Sequence, residues 1–172
     1  MISIGESFVG EGAEAAHLNT VLGMREGPIG TAWATALATP REGHAAFVVV
    51  AQPNLPVKPM TLFVNKAMIA SEAHATLTWG AAQLGVASGV LDAVAGGVIP
   101  PGLLDDGLLI TAVWVSPAAV DADMVYVNNR QATAEALANG MAKQPSIEEL
   151  LAVRDTPING YYVPATLREG DR

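Results

Sequence analysis

Gly5-Glu6-Ser7-Phe8-Val9-Gly10-Glu11-Gly12-Ala13-Glu14-Ala15-Ala16-His17-Leu18-Asn19 sets three glycines and three glutamates ahead of the chain's first histidine. Ile2, Ile4 and Phe8-Val9 predict a first strand that ends at the Gly10-Glu11-Gly12 turn. Ala15 to Leu22 returns as a second strand, so the stretch is a hairpin with a loop of a few residues. Side chains on a strand alternate, which puts His17 and Asn19 on one face. A histidine held on a strand beyond a glycine turn is placed for chemistry, and the rest of the chain is asked what it brings to His17.

Further on, Thr31 to Ala38 predicts a short helix that stops before Pro40, with Gly27-Pro28-Ile29-Gly30 as loop. The β-branched run Ala45 to Ala51 predicts a buried strand. It empties into Gln52-Pro53-Asn54-Leu55-Pro56-Val57-Lys58-Pro59, a stiff corner with few backbone donors. Thr61 to Ile69 predicts another strand, with Leu62, Val64, Lys66 and Met68 on one face. Lys66 among apolar neighbours is expected to snorkel or to meet a carboxylate.

Ser71 is a candidate N-cap, with Glu72 in the first turn of a helix running to about Ala95. Its glycines and alanines require close packing against another element. Gln83 aligns with Ala87, Val90 and Val94, either as a hydrogen-bonded core amide or as a ligand contact. Leu108 to Val115 predicts a central strand. Asp121 to Ala142 predicts a second long helix with Asn128, Asn129, Arg130, Gln131 and Glu135 on its polar side. Ser146 with Glu149 predicts a capped short helix through Val153. The pattern is mixed α/β (α+β), with helices packed on a sheet. One domain is expected over residues 1–153, with a C-terminal tail over residues 154–172 whose Tyr161-Tyr162 either meets a neighbouring subunit or stays disordered.

Composition narrows the function. A net charge of −8 with only three lysines argues against nucleic acid and anionic membrane surfaces. The absence of cysteine excludes disulfides, thiol catalysis and Cys-ligated metal. No basic region precedes an apolar core at the N-terminus, and no window approaches about 18 uninterrupted apolar residues, so a soluble, cytoplasmic chain is expected. Charged residues are 15% against a usual fraction of about 25%, which predicts that another copy of the chain covers much of the surface. The dinucleotide fingerprint, Walker A loop, HExxH and GxSxG elbow are all missing. His44 and His74 are read as surface or capping residues.

Several blocks, in order, carry a resemblance. They are Ile4-Gly5-Glu6, Val9-Gly10-Glu11-Gly12, Ala16-His17, Pro53-Asn54-Leu55-Pro56-Val57-Lys58-Pro59 with Asn65-Lys66, Gly80-Ala81-Ala82-Gln83, Gly97-Val98-Ile99-Pro100 and the helix at Ala132-Thr133. Over residues 3–152 the chain resembles the formaldehyde-activating enzyme family. The resemblance implies a fold like domain 2 of ribosomal protein S5 in a homopentamer. It implies a lyase of one-carbon metabolism that condenses formaldehyde with tetrahydromethanopterin, a co-substrate bound between subunits, with no metal or other bound cofactor. It implies His17 as general acid and Asn19, Val48, Lys66, Met68 and Gln83 as substrate-binding residues. The family usually has aspartate at the position of Asn19, threonine at Met68 and proline at Ala81. Losing that aspartate is expected to remove a carboxylate that would favour protonated His17. A divergent member of this kind is either a condensing enzyme or a paralogue that binds a pterin or an aldehyde without efficient turnover.

Overall fold

The hairpin forms with its turn where the glycines put it. In the computed structural model, which describes residues 2–168, strands β1 (Ile2–Val9) and β2 (Ala16–Met24) pair antiparallel. Met1 and residues 169–172, the end of the expected tail, lie outside the described residues. Gly10 and Gly12 take φ of 84° and 68°, the left-handed region that glycine enters without penalty.

A helix α1 (Pro28–Ala38) follows, three residues longer at its start than expected. Pro28 occupies the first turn, where its missing N–H is no loss and its fixed φ suits the helix. The predicted strand at 45–51 is two strands. β3 (Ala46–Val48) belongs to the main sheet, whereas β4 (Val50–Gln52) pairs with β5 (Leu55–Pro56) in a separate ribbon. The chain changes sheets at Val49, which is fully buried and whose carbonyl accepts from Val57 N–H.

Strand β6 (Met60–Asn65) ends four residues earlier than expected. The Asn65 side chain stops it: Nδ2 donates to the carbonyls of Gly43 and Ala67, and Oδ1 accepts from Ala45 N–H. With β7 (Gly107–Trp114), the main sheet has the order β1-β2-β7-β6-β3. β6 runs parallel to β7, and the other pairs are antiparallel. β7 is central, as its apolar run predicted.

One long helical stretch starts at α2 (Glu72–Thr76), where Ser71 Oγ accepts from His74 N–H as the cap. It passes through a π turn, Leu77–Ala82, into α3 (Gln83–Ala95). The wide turn shifts the helix phase by one residue. Leu77 is therefore buried while Leu84 and Leu91, seven and fourteen positions on, are exposed. Gly85 and Gly89 pack directly on the backbone of α4 (Ala122–Ala142), which is the close contact the small residues required. The helix α4 is capped by Asp121, which accepts from Met124 N–H.

Two expectations need correction here. Asn128 and Asn129 are buried, because α4 packs on β1 and β2 as well as on α3. Asn128 Nδ2 donates to the Glu14 carbonyl and so ties down the hairpin loop. His74 is also buried, with Nδ1 accepting from Ala70 N–H and Nε2 donating to the Val115 carbonyl, so it is neither a surface nor merely a capping residue.

α3 and α4 cover the sheet face carrying Leu18, Leu22, Phe63, Leu109 and Val113, which form one core with Val86, Val90 and Leu137. α1 crosses part of the other face. The architecture is thus a mixed sheet with helices, as the pattern predicted. The short helix α5 (Ile147–Ala152) carries the capping box of Ser146 and Glu149. Beyond it the tail leads to α6 (Ala165–Arg168), and on the way Tyr161 returns to the chain's own sheet, edge-on to Phe8 and Trp114. Among the described residues no helix is long and apolar enough to cross a membrane.

Candidate active site

The face that α1 leaves partly open carries the chemistry. Strand register aligns Phe8 with His17 and His17 with Trp114 in one row, and Glu6 with Asn19 and Ala112 in the next. Lys66 follows the last residue of β6, and its N–H still donates to the Val113 carbonyl at 2.7 Å, which keeps it in line with the sheet. Side chains of successive rows on one face lie within reach of each other, so Glu6, His17, Asn19 and Lys66 converge.

His17 sits in the middle. Its Nε2 lies 3.0 Å from Glu6 Oε1, and its Nδ1 faces Lys66 Nζ at 3.5 Å. Lys66 Nζ in turn donates to Asn19 Oδ1 at 2.8 Å. The pairing assigns the tautomer: Nε2–H donates to the carboxylate, and Nδ1 is left to the lysine side. The Phe8 ring stands 5.9 Å from the imidazole, centroid to centroid. The His17 and Glu6 side chains are 33% and 58% exposed, so the group opens to solvent rather than being sealed in the core.

Burial lowers the Lys66 amine from its usual range, and the Glu6 charge opposes that shift without cancelling it. Among the described residues Lys66 makes no ion pair with a carboxylate. Its partner is an amide oxygen instead, which differs from the snorkelling or carboxylate contact expected. The expectation that His17 lacks a carboxylate neighbour also fails. Glu6, across the β1–β2 pair, supplies one, and only the hairpin register brings it there. Among the described residues no cluster of three or more His, Asp or Glu is arranged to hold a metal.

The remaining expected site residues are dispersed. Val48 lies on the same sheet face but on the edge strand, opposite Leu62. Met68 lies beyond the end of β6, 62% exposed and against Gly43. Gln83 lies on the helical side of the sheet, buried, with Oε1 accepting from Val50 N–H at 2.7 Å. It lines a cleft of about 590 Å³ with Gln52, Pro53, Trp79 and Tyr126. Within the chain the structure therefore unites His17, Asn19 and Lys66 but not Gln83. Glu6, Phe8, Trp114 and Tyr161 were not among the site residues expected from the sequence. For Glu6 and Phe8 a signal existed: a hairpin folded about residues 10–15 sets them opposite Asn19 and His17.

The sequence profile of the family described as "Formaldehyde-activating enzyme (Fae)" matches residues 4–161. The chain is 42% identical over 153 residues to "5,6,7,8-tetrahydromethanopterin hydro-lyase" of Methanosarcina barkeri, covering 89% of this chain and 86% of that protein. It is 38% identical over 161 residues to "Bifunctional enzyme Fae/Hps" of Methanosphaera stadtmanae, and 36% identical over 159 residues to the protein of that name in Methanocella arvoryzae. It covers 40% of the length of each of these bifunctional proteins. Both the profile match, which spans most of the chain, and the relative aligned nearly end to end lead to one assignment. This chain belongs to the formaldehyde-activating enzyme family.

Proposed function

We propose that this chain condenses formaldehyde with tetrahydromethanopterin to give methylene-tetrahydromethanopterin and water. The observation that carries the reading is His17 held between Glu6 and Lys66 on an open sheet face. An amine adding to formaldehyde gives a carbinolamine, and its hydroxyl must be protonated before it leaves as water. Histidine is the side chain whose ordinary titration range suits that task near neutrality, and a placed acid contributes about 10²–10⁴-fold. Glu6 accepts the Nε2–H and balances the charge of an imidazolium, which leaves Nδ1, on the Lys66 side, as the nitrogen that hands on the proton. Lys66 and Asn19 supply a donor and an amide beside it for the substrate.

The pterin site is shared between adjacent subunits of a ring, in which Gln83 of one copy faces His17 of the next. Three observations support this reading: His17 and Gln83 lie on opposite sides of one subunit's sheet; charged residues are few; and Ile2, Ile4 and Met68 are exposed on or beside the sheet. The homopentamer, the likeness to ribosomal protein S5 domain 2, Val48 and Met68 as pterin contacts, and a cytoplasmic setting belong to the same proposal. So does the division into a catalytic domain over residues 1–153 and a tail.

The test is a condensation assay with authentic tetrahydromethanopterin and formaldehyde, run with and without protein. Wild type is expected to exceed the spontaneous rate, and His17→Ala to fall back to it. A wild-type rate equal to the spontaneous one refutes the proposal.

A further inference from the structure

We propose that Lys66 captures formaldehyde covalently, as an imine on Nζ, before the carbon passes to the acceptor amine; the inference rests on formaldehyde being the substrate. An amine of the chain itself faces the acid: Lys66 Nζ lies 3.5 Å from His17 Nδ1. A lysine is a nucleophile only as the neutral amine. Three features favour that form. Nζ is partly buried, its hydrogen-bond partner Asn19 is a neutral amide, and no carboxylate pairs with it among the described residues. Glu6, the charged neighbour from β1, spends its hydrogen bond on His17 Nε2 instead. Tyr161, the titratable group from the tail, stands over Phe8 and Trp114.

The chemistry closes without any further reagent. A proton moves from the Lys66 ammonium to His17 Nδ1, which leaves an amine and an imidazolium paired with Glu6. The amine attacks formaldehyde, a C–N bond forms, and the carbonyl electron pair becomes a hydroxyl by taking the proton that the attacking nitrogen gives up. His17 protonates that hydroxyl, the C–O bond breaks, water leaves, and the nitrogen lone pair forms the C=N bond. An acceptor amine then adds to the imine carbon, returning the electron pair to Nζ. The acceptor's second amine displaces Lys66, and the two N–H protons lost by the acceptor restore the starting protonation. One water leaves, and the lysine is regenerated.

The test traps the imine in the absence of any pterin. The full chain is treated with limiting formaldehyde and cyanoborohydride at neutral pH and digested, and methylation is mapped by mass spectrometry. Lys66 is expected to gain methyl carbon at least about tenfold faster than Lys58 and Lys143, with His17→Ala slowing Lys66 by about a hundredfold as the acid is lost. Asn19→Asp, which supplies a carboxylate to hold the ammonium, is expected to slow Lys66 as well. Labelling of Lys66 at the rate of the other two lysines overturns the proposal, as does an unchanged rate in His17→Ala. Lys66→Arg keeps the charge but cannot form the imine, so wild-type condensation by that variant also overturns it. Fast trapping at Lys66 by a protein that does not accelerate pterin condensation upholds the capture step and rejects the acceptor alone.

Discussion

One added methyl group at Gly89 tests whether the α3–α4 contact fixes the layer behind the site. An ideal Cβ there would lie 2.5 Å from the Arg130 carbonyl oxygen and 2.6 Å from Thr133 Cβ. Ordinary contact needs roughly 3.5 Å, so the helices must separate by about 1 Å. The obstacle is backbone, which cannot rotate aside. Separation would also strain the surface pair of Arg130 with Asp92, at 2.6 and 2.8 Å. Two magnitudes oppose each other. Alanine in a helix is favoured over glycine by about 1 kcal/mol, while overpacking of a tight interior costs about 1–3 kcal/mol. With backbone in the way the upper part of that range applies, so Gly89→Ala is expected to destabilise by about 1–2 kcal/mol net. The control is Gly80→Ala in the π turn, where nothing lies within 4 Å of the added carbon; there the change should be neutral or mildly stabilising. Urea unfolding followed by circular dichroism, at one fixed protein concentration because assembly would add a concentration dependence, reads the difference. The Gly89→Ala midpoint should fall by about half to one molar with an unchanged slope. A midpoint at or above wild type would refute the packing argument.

Other perturbations separate the roles of single groups. Gln83→Leu deprives Val50 N–H of its acceptor and should lower stability by about 1–2 kcal/mol; thermal unfolding indistinguishable from wild type would mean that cleft water replaces the amide. Glu6→Ala should reduce turnover no more than about fivefold, since a half-exposed pair contributes only about 0.2–1 kcal/mol, and Glu6→Gln, which keeps an acceptor for His17 Nε2–H, should recover part of it. A hundredfold loss in condensation rate would show that Glu6 touches the reacting atoms. Lys66 gives a pH dependence of known sign. Burial lowers its folded value below 10.5, so between the two values the unfolded chain binds more protons and stability rises with pH. Urea midpoints should show wild type gaining on Lys66→Met as pH climbs toward 10.5, and a constant difference would contradict the direction of the shift.

What the sequence made legible was local. Glycines at 10 and 12 announced the hairpin turn, Ser71, Asp121 and Ser146 announced helix starts, and the run at 108–115 announced the central strand. His17 and Lys66 stood out because each is an unusual type for its pattern, and the fold does bring them together. Glu6 was missed because its neighbour is set by pairing across the hairpin and not by spacing along it. His74, Asn128 and Asn129 were placed on the surface because polarity alone was weighed. His74 and Asn128 bond to the carbonyls of Val115 and Glu14, contacts that exist only once distant elements meet, whereas Asn129 satisfies its Nδ2 within its own helix, on the Val125 carbonyl one turn back. The break at Val49 left no compositional trace either, since a β-branched run looks the same whether it serves one sheet or two.

That break makes the two edges of the sheet unequal. β3 keeps only three residues before the chain turns out of the sheet, so it offers little to a passing strand, whereas β1 presents eight. Long apolar edges invite pairing with other chains, and a charge on the edge is a common safeguard. Ile2, Ile4 and Phe8 are all exposed on β1, and its only charged residue is Glu6. The carboxylate that meets His17 is thus also the gatekeeper against aggregation along that edge. Substitutions at Glu6 should lower soluble yield as well as turnover, and rates for those variants are meaningful only per mole of dispersed protein.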